Sequence, residues 1–164
     1  MTPYLVAAPE DMPVSLAALK AHLRVAHNDD DAEIGALQAG VVALLDGWGG
    51  ILGRCIMPQT WAVQVTGPGP HILPFPDAVT VTVDGEEITP KRTGAGLSVM
   101  LDVAPSEAAV IEGQYALPEA RRPTLETLVK LMVGREFDRM AGPDYDAATR
   151  SIEQHIAALR WRRV

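Results

Sequence analysis

Two histidines and three aspartates fall within one short stretch, His22, His27, Asp29, Asp30 and Asp31, and imidazole with carboxylate is a donor set that binds transition metals. The two histidines, however, are five residues apart across an expected helix end, and nothing fixes a third ligand, so ordinary solvated polar residues are the reading. Cys55 follows Arg54, whose charge favours a thiolate, yet Ile56 and Met57 on its other side favour a buried structural thiol, and no base is placed to activate it. Gly47, Gly49, Gly50 and Gly53 lack the Gly-Lys-Ser/Thr of a phosphate loop and follow no strand, which leaves a turn or hinge. Ser15 sits where a helix cap belongs, no Gly-x-Ser-x-Gly elbow occurs, and the carboxylates Asp84 and Glu86 flank a turn. No catalytic residue, metal site or cofactor is expected.

The C-terminus has a different chemistry. Arg160, Trp161, Arg162, Arg163 and Val164 set an aromatic side chain among guanidiniums, the composition of a protein-interface hot spot. The chain carries −7 in total, while residues 150–164 carry +3, which leaves −10 for residues 1–149. Such a body disfavours general affinity for DNA or anionic membranes. Three readings of the basic end compete: docking on a protein partner, nucleic-acid contact, and a solvated frayed end. Three arginines make a small patch for DNA, and Trp161 favours the protein partner.

The elements that position these residues can be read from period. Ser15 caps a helix over about 14–25 whose face is Leu16, Leu19 and Leu23. A second helix over about 31–48 carries Ile34, Leu37, Val41, Leu44, Leu45 and Trp48, with the aspartate run as its cap. Four glycines in the seven residues 47–53 then stop it. Alternation takes over around Trp61–Val65, Val79–Val83 and Leu97–Val103, with a further strand at Val110–Tyr115, and Asp84-Gly85 marks a hairpin. Pro68, Pro70, Pro74 and Pro76 keep the intervening segment extended and outside any central ladder. Helical period returns over about 123–140, with Leu125, Leu128, Val129, Met132, Val133 and Phe137, and again over about 145–159. The expected fold is α+β: one domain over 1–164, a mainly helical body of four helices, an antiparallel β insert over about 59–116 and an extended basic tail at 160–164.

At 164 residues and 48% hydrophobic, the chain can bury a core without staples, and a single cysteine excludes an internal disulfide. No apolar run reaches the roughly 18 residues of a membrane span, and the opening MTPYLVAAPEDM lacks the basic and apolar regions of a signal peptide. A protein made in the cytoplasm, without membrane contact, is expected.

The segment Pro13-Val14-Ser15-Leu16 through Lys20, His22, Leu23, Arg24 and Val25, the aspartate run with its helix, then Gly53-Arg54 and Pro58-Gln59-Thr60-Trp61, resembles the head–tail connector (adaptor) family of long-tailed phages, prophages and gene transfer agents. The likeness returns at Asp84-Gly85, at Arg122-Pro123 with its helix, and at the arginine-rich end; residues 90–109 match least. Where family members have an aromatic-Thr-Gly-Arg link, this chain has Trp48-Gly-Gly-Ile-Leu-Gly53-Arg54, a short insertion. The resemblance implies a virion protein assembled in the bacterial cytoplasm. It would form a dodecameric ring that docks on the portal protein, meets a tail-side neck or stopper protein, and passes genomic DNA without binding it specifically. Residues 160–164 are then the portal contact. An acidic lining suits such a channel, since a duplex bearing about one charge per 1.7 Å would adhere to a basic tube. The alternative is a small nucleic-acid-binding accessory protein or another tail or neck component.

Overall fold

The computed structural model describes residues 2–102, 104, 107–139 and 142–161. Its elements in chain order are β1 (Tyr4–Ala7), α1 (Leu16–Leu23), α2 (Asp31–Leu45), β2 (Gln59–Thr66), β3 (Gly69–Ile72), β4 (Ala78–Val83), β5 (Glu86–Glu87), β6 (Lys91–Thr93), β7 (Gly96–Leu101), β8 (Ala108–Tyr115), α3 (Arg122–Phe137) and α4 (Gly142–Leu159). Four helices and two antiparallel sheets make the α+β fold that the sequence implies.

Local chemistry explains the helix ends. The Ser15 hydroxyl accepts the Ala18 N–H at 3.2 Å and starts α1, and Arg24 in the left-handed region, φ 59°, closes it. At α2 the expected aspartate cap is not formed: Asp30 makes no side-chain cap bond. Asp31 instead reaches the Lys20 ammonium at 2.6 Å and ties α2 to α1, while Asp31 and Glu33 in the first turn complement the macrodipole. Helix α2 stops at Leu45 rather than at Trp48, because Asp46 turns extended (ψ 151°) and Gly47 takes φ 73°. The glycine stretch then folds back on the helix it ends. The Ile51 and Leu52 N–H groups donate to the carbonyls of Leu44 and Leu45, and Leu52 is fully buried. That makes it a pinned turn. Helix α4 begins three residues earlier than its apolar period indicates, at Gly142-Pro143, where proline's missing N–H costs nothing in a first turn.

The β insert is larger than a hairpin. One sheet has the order β1-β2-β8-β4-β5 and the other β3-β7-β6. Asp84 (φ 49°) and Gly85 (φ 87°) form the turn between β4 and β5, both left-handed as a type I′ turn demands. Strand β3, which contains Pro70, is an edge strand, as the missing proline donor requires. Strand β7 ends at Leu101; Val103 lies outside the described residues. Strand β1 had no period to announce it.

Two apolar cores result. Helices α1–α4 close around Leu19, Ile34, Leu45, Leu125, Leu128, Val133 and their neighbours, joined by Leu52, Ile56 and Leu117 from the connections. Val63, Val65, Val81 and Ile111 from the first sheet face Leu97, Val99 and Leu101 from the second. Between them lies a third cluster of Phe75, Tyr115 and Cys55, flanked by Trp48 and Trp61.

Candidate functional site

The C-terminal segment reaches this junction. Arg160 is exposed at the end of α4, its N–H donating to Ile156 at 2.8 Å. Trp161 is half-buried and its N–H donates to the Leu52 carbonyl at 2.9 Å. Two glycines make room for it. A Cβ on Gly53 (φ 65°) would lie 2.9 Å from the Trp161 carbonyl oxygen, and one on Gly96 (φ 129°) would meet the indole at 3.4 Å. The glycine turn 47–53 and the start of β7 therefore clamp Trp161 against the body. Arg121 adds a tie, its Nη1 donating to the Ala158 carbonyl at 3.0 Å. Of the five residues expected to dock a partner, these two are placed; Arg162, Arg163 and Val164 lie outside the described residues. Trp161 thus has an intramolecular seat as well as any external role.

Behind that seat is a polar network that the sequence did not announce. The Asp46 carboxylate, at the exit of α2, accepts the Ile56 N–H at 2.8 Å and the Gln59 amide at 3.0 and 2.8 Å. Gln59 is buried and accepts the Trp61 indole N–H at 2.8 Å through its Oε1. Burial outweighs these donors and raises the Asp46 pKa above its ordinary 3.8. One glutamine therefore joins the end of the helical body to the first strand of the insert. Beside it, buried Arg54 places Nη1 2.9 Å from Asp77 Oδ2. The contact is an ion pair without hydrogen-bond alignment, since Arg54 Nε and Nη1 and Asp77 Oδ2 each lack a hydrogen-bond partner. Burial lowers the Arg54 pKa and raises that of Asp77, in spite of the attraction of Arg54, Arg121 and Arg92 for the carboxylate. Phe75 seals the junction with edge-on contacts to Trp61, Tyr115 and Trp48, at 5.3, 5.1 and 6.3 Å between ring centroids.

Replacing Gln59 by glutamate tests this network. The new carboxylate would face Asp46 with no cation between them, so unfolding should become easier by about 2–4 kcal/mol near pH 8. The sign follows from linkage. Like-charge crowding raises the folded-state pKa further, so the variant regains stability as pH falls towards the ordinary carboxylate range and one proton is taken up. Denaturant melts at several pH values read the effect, and a pH-independent loss would contradict it.

The remaining chemistry-bearing residues are not brought together. His27 lies 3.8 and 3.7 Å from Asp29 and Asp30 on an exposed loop, and among the described residues no group of three or more histidine, cysteine or carboxylate side chains could hold a metal. Cys55 is 1% exposed, and burial with the nearby charges of Asp46 and Asp77 pushes its thiol far up. It is a packing residue, with no thiolate at neutral pH. No described helix is long and apolar enough to cross a membrane.

Compared with solved structures, the chain has the fold of a chain from the "Neck of empty GTA particle computed with C6 symmetry", GTA denoting a gene transfer agent. The TM-score is 0.64 at 19% identity, covering 100% of this chain and 97% of that one. The likeness runs over the whole length and is one of fold. No family model matches the sequence, and no curated protein matches it significantly.

Proposed function

We propose that this chain is a structural subunit of the neck of a phage-like particle, a head–tail connector of the adaptor type rather than an enzyme. The observation that carries this reading is the end-to-end fold likeness to a chain of a gene transfer agent neck. The quoted segments Gly53-Arg54 and Pro58-Gln59-Thr60-Trp61 add to it, because they are the residues that build the junction between body and insert. On this reading copies of the chain form a ring, dodecameric in the family it resembles, that docks on the portal protein and meets a tail-side neck protein. Genomic DNA passes along an acidic wall without being held. The basic end, rooted by Trp161 and continuing through Arg162, Arg163 and Val164, is the portal contact. No cofactor, metal or membrane takes part.

Two assays on the purified full-length chain test the reading together. The assembled portal from the same genome should retain the chain at moderate salt, and duplex DNA should be shifted only at concentrations above about 10 µM at physiological salt. Retention of DNA with no retention by an intact portal would instead make it a nucleic-acid-binding accessory protein.

A further inference from the structure

The first sheet leaves strand backbone unpaired towards both of its ends. Strand β1 lies at one end of the order β1-β2-β8-β4-β5, and among the described residues no strand pairs with its outer edge. Its side chains are uncovered on both faces: Tyr4 is 51% exposed, Leu5 46% and Val6 48%. At the other end, β5 pairs only with Thr82 and Val83, and the Ile88 N–H donates to the Val81 carbonyl, so among the described residues no strand pairs with residues 78–80 of β4 on the side away from β8. There Val79 is 63% exposed, lifted by a register shift between Ala78 and Thr80. Exposed edges are normally blunted by lysine or other charges, which oppose pairing with a second chain. The two unpaired stretches carry none: no charged residue occurs in 2–9 or in 78–80, and the exposed Glu86 and Glu87 of β5 lie beyond the unpaired part of β4.

Strand direction makes the two edges complementary. β1 is antiparallel to β2, β2 to β8 and β8 to β4, so β1 and β4 run in opposite senses. A second copy laid beside the first in the same orientation would set its β4 edge antiparallel to β1, the better-bonded arrangement. It would also set Leu5 or Val6 beside Val79, covering apolar surface on both sides. The two stretches that would meet carry no charge of their own. Two different patches of one molecule meeting in this way form a head-to-tail contact, which closes into a ring when the rotation per copy allows.

We infer that β1 of one copy pairs with the open edge of β4 of the next, so that the five-stranded sheet continues from subunit to subunit. This deepens the ring reading proposed above and rests on it. The paired stretch is three or four residues long, so a single contact is weak and free subunits stay mostly apart until neighbours on a template close the circle.

Disulfide trapping in the full-length chain tests it, because Cys55 is buried and stays out of the reaction. Single cysteine variants are mixed pairwise, Leu5→Cys or Val6→Cys with Val79→Cys or Thr80→Cys, four pairings that cover the neighbouring registers. Under mild oxidation at least one pairing should cross-link on the order of tenfold faster than Val6→Cys mixed with Leu44→Cys, since a disulfide needs Cβ atoms within about 4.5 Å. The fastest pair combined in one chain should give a ladder beyond dimer. All four pairings at the control rate would overturn the proposal, as would fast cross-linking of Leu5→Cys or Val6→Cys alone, which signals β1 against β1. Portal binding by the reduced variants separates the two levels. Binding with control-rate trapping removes the sheet contact and leaves the connector reading standing, whereas loss of both removes the connector reading.

Discussion

Replacing Asp77 by alanine should lower the unfolding free energy by about 3–5 kcal/mol, a fall of roughly 10 °C or more in Tm for a chain of this length. The cause lies in Arg54, whose side chain is 6% exposed and keeps its charge whether or not the carboxylate is there. Without Asp77 at 2.9 Å, that guanidinium is a buried cation with no counter-ion. The reverse change, Arg54→Met, strands a carboxylate that takes a proton more easily, so its loss should be smaller. Both partners have pKa values displaced towards their neutral forms, which means that burial costs more than the pair recovers. The double variant Arg54→Met with Asp77→Leu should therefore sit close to the parent in stability, within about 1 kcal/mol. Thermal or denaturant melts of the three variants read the cycle. A double variant as unstable as Asp77→Ala would show that the pair itself, rather than the cost of an orphaned charge, holds the junction.

This pair also marks where sequence reading stops. Helices and most of their faces were legible, because Leu19 and Leu23, or Leu125, Leu128 and Met132, repeat with the period that packing imposes; Leu16 and Leu44, expected on the same stripes, are exposed instead. The Asp84-Gly85 turn was legible because few residues adopt positive φ at two successive positions. The strand β1 was not: Tyr4-Leu5-Val6-Ala7 is covered on neither face, so burial has imposed no alternation on it. The second sheet was missed for a related reason, since β3 and β6 are three or four residues long and fall among prolines and polar residues.

The junction was hidden differently. Asp46, Gln59 and Asp77 are polar residues whose meaning comes from partners ten or more positions away, and no local period records such a contact. In the sequence, Gly53-Arg54 and Pro58-Gln59-Thr60-Trp61 carry only a resemblance to a family. The structure supplies their physics: a left-handed turn pressed against the Trp161 carbonyl, a buried cation, and an amide bridging a carboxylate to an indole. The tail was read by composition alone, which identified an aromatic among arginines but gave no sign that the aromatic is half-buried in its own chain.

That placement changes how the proposed docking segment must be tested. Removing residues 162–164 deletes two guanidiniums and the last apolar side chain without touching the Leu52 to Trp161 hydrogen bond, so the melting temperature should hold within about 2 °C. If those residues grip the portal, retention by assembled portal should fall at least about tenfold, the effect expected when charge-assisted contacts worth more than 1.4 kcal/mol are lost. Trp161→Ala is a different experiment, because it empties the seat beside Gly96. It should cost about 2 kcal/mol of stability, less than for a fully buried aromatic, and any loss of binding would then mix docking with misplacement of the whole segment. Comparing the truncation with Arg162→Glu and Arg163→Glu isolates charge from length: reversal of sign should weaken retention more than deletion does, and the difference should shrink as salt is raised. Retention unchanged by both would move the portal contact away from the basic end and onto another surface of the body.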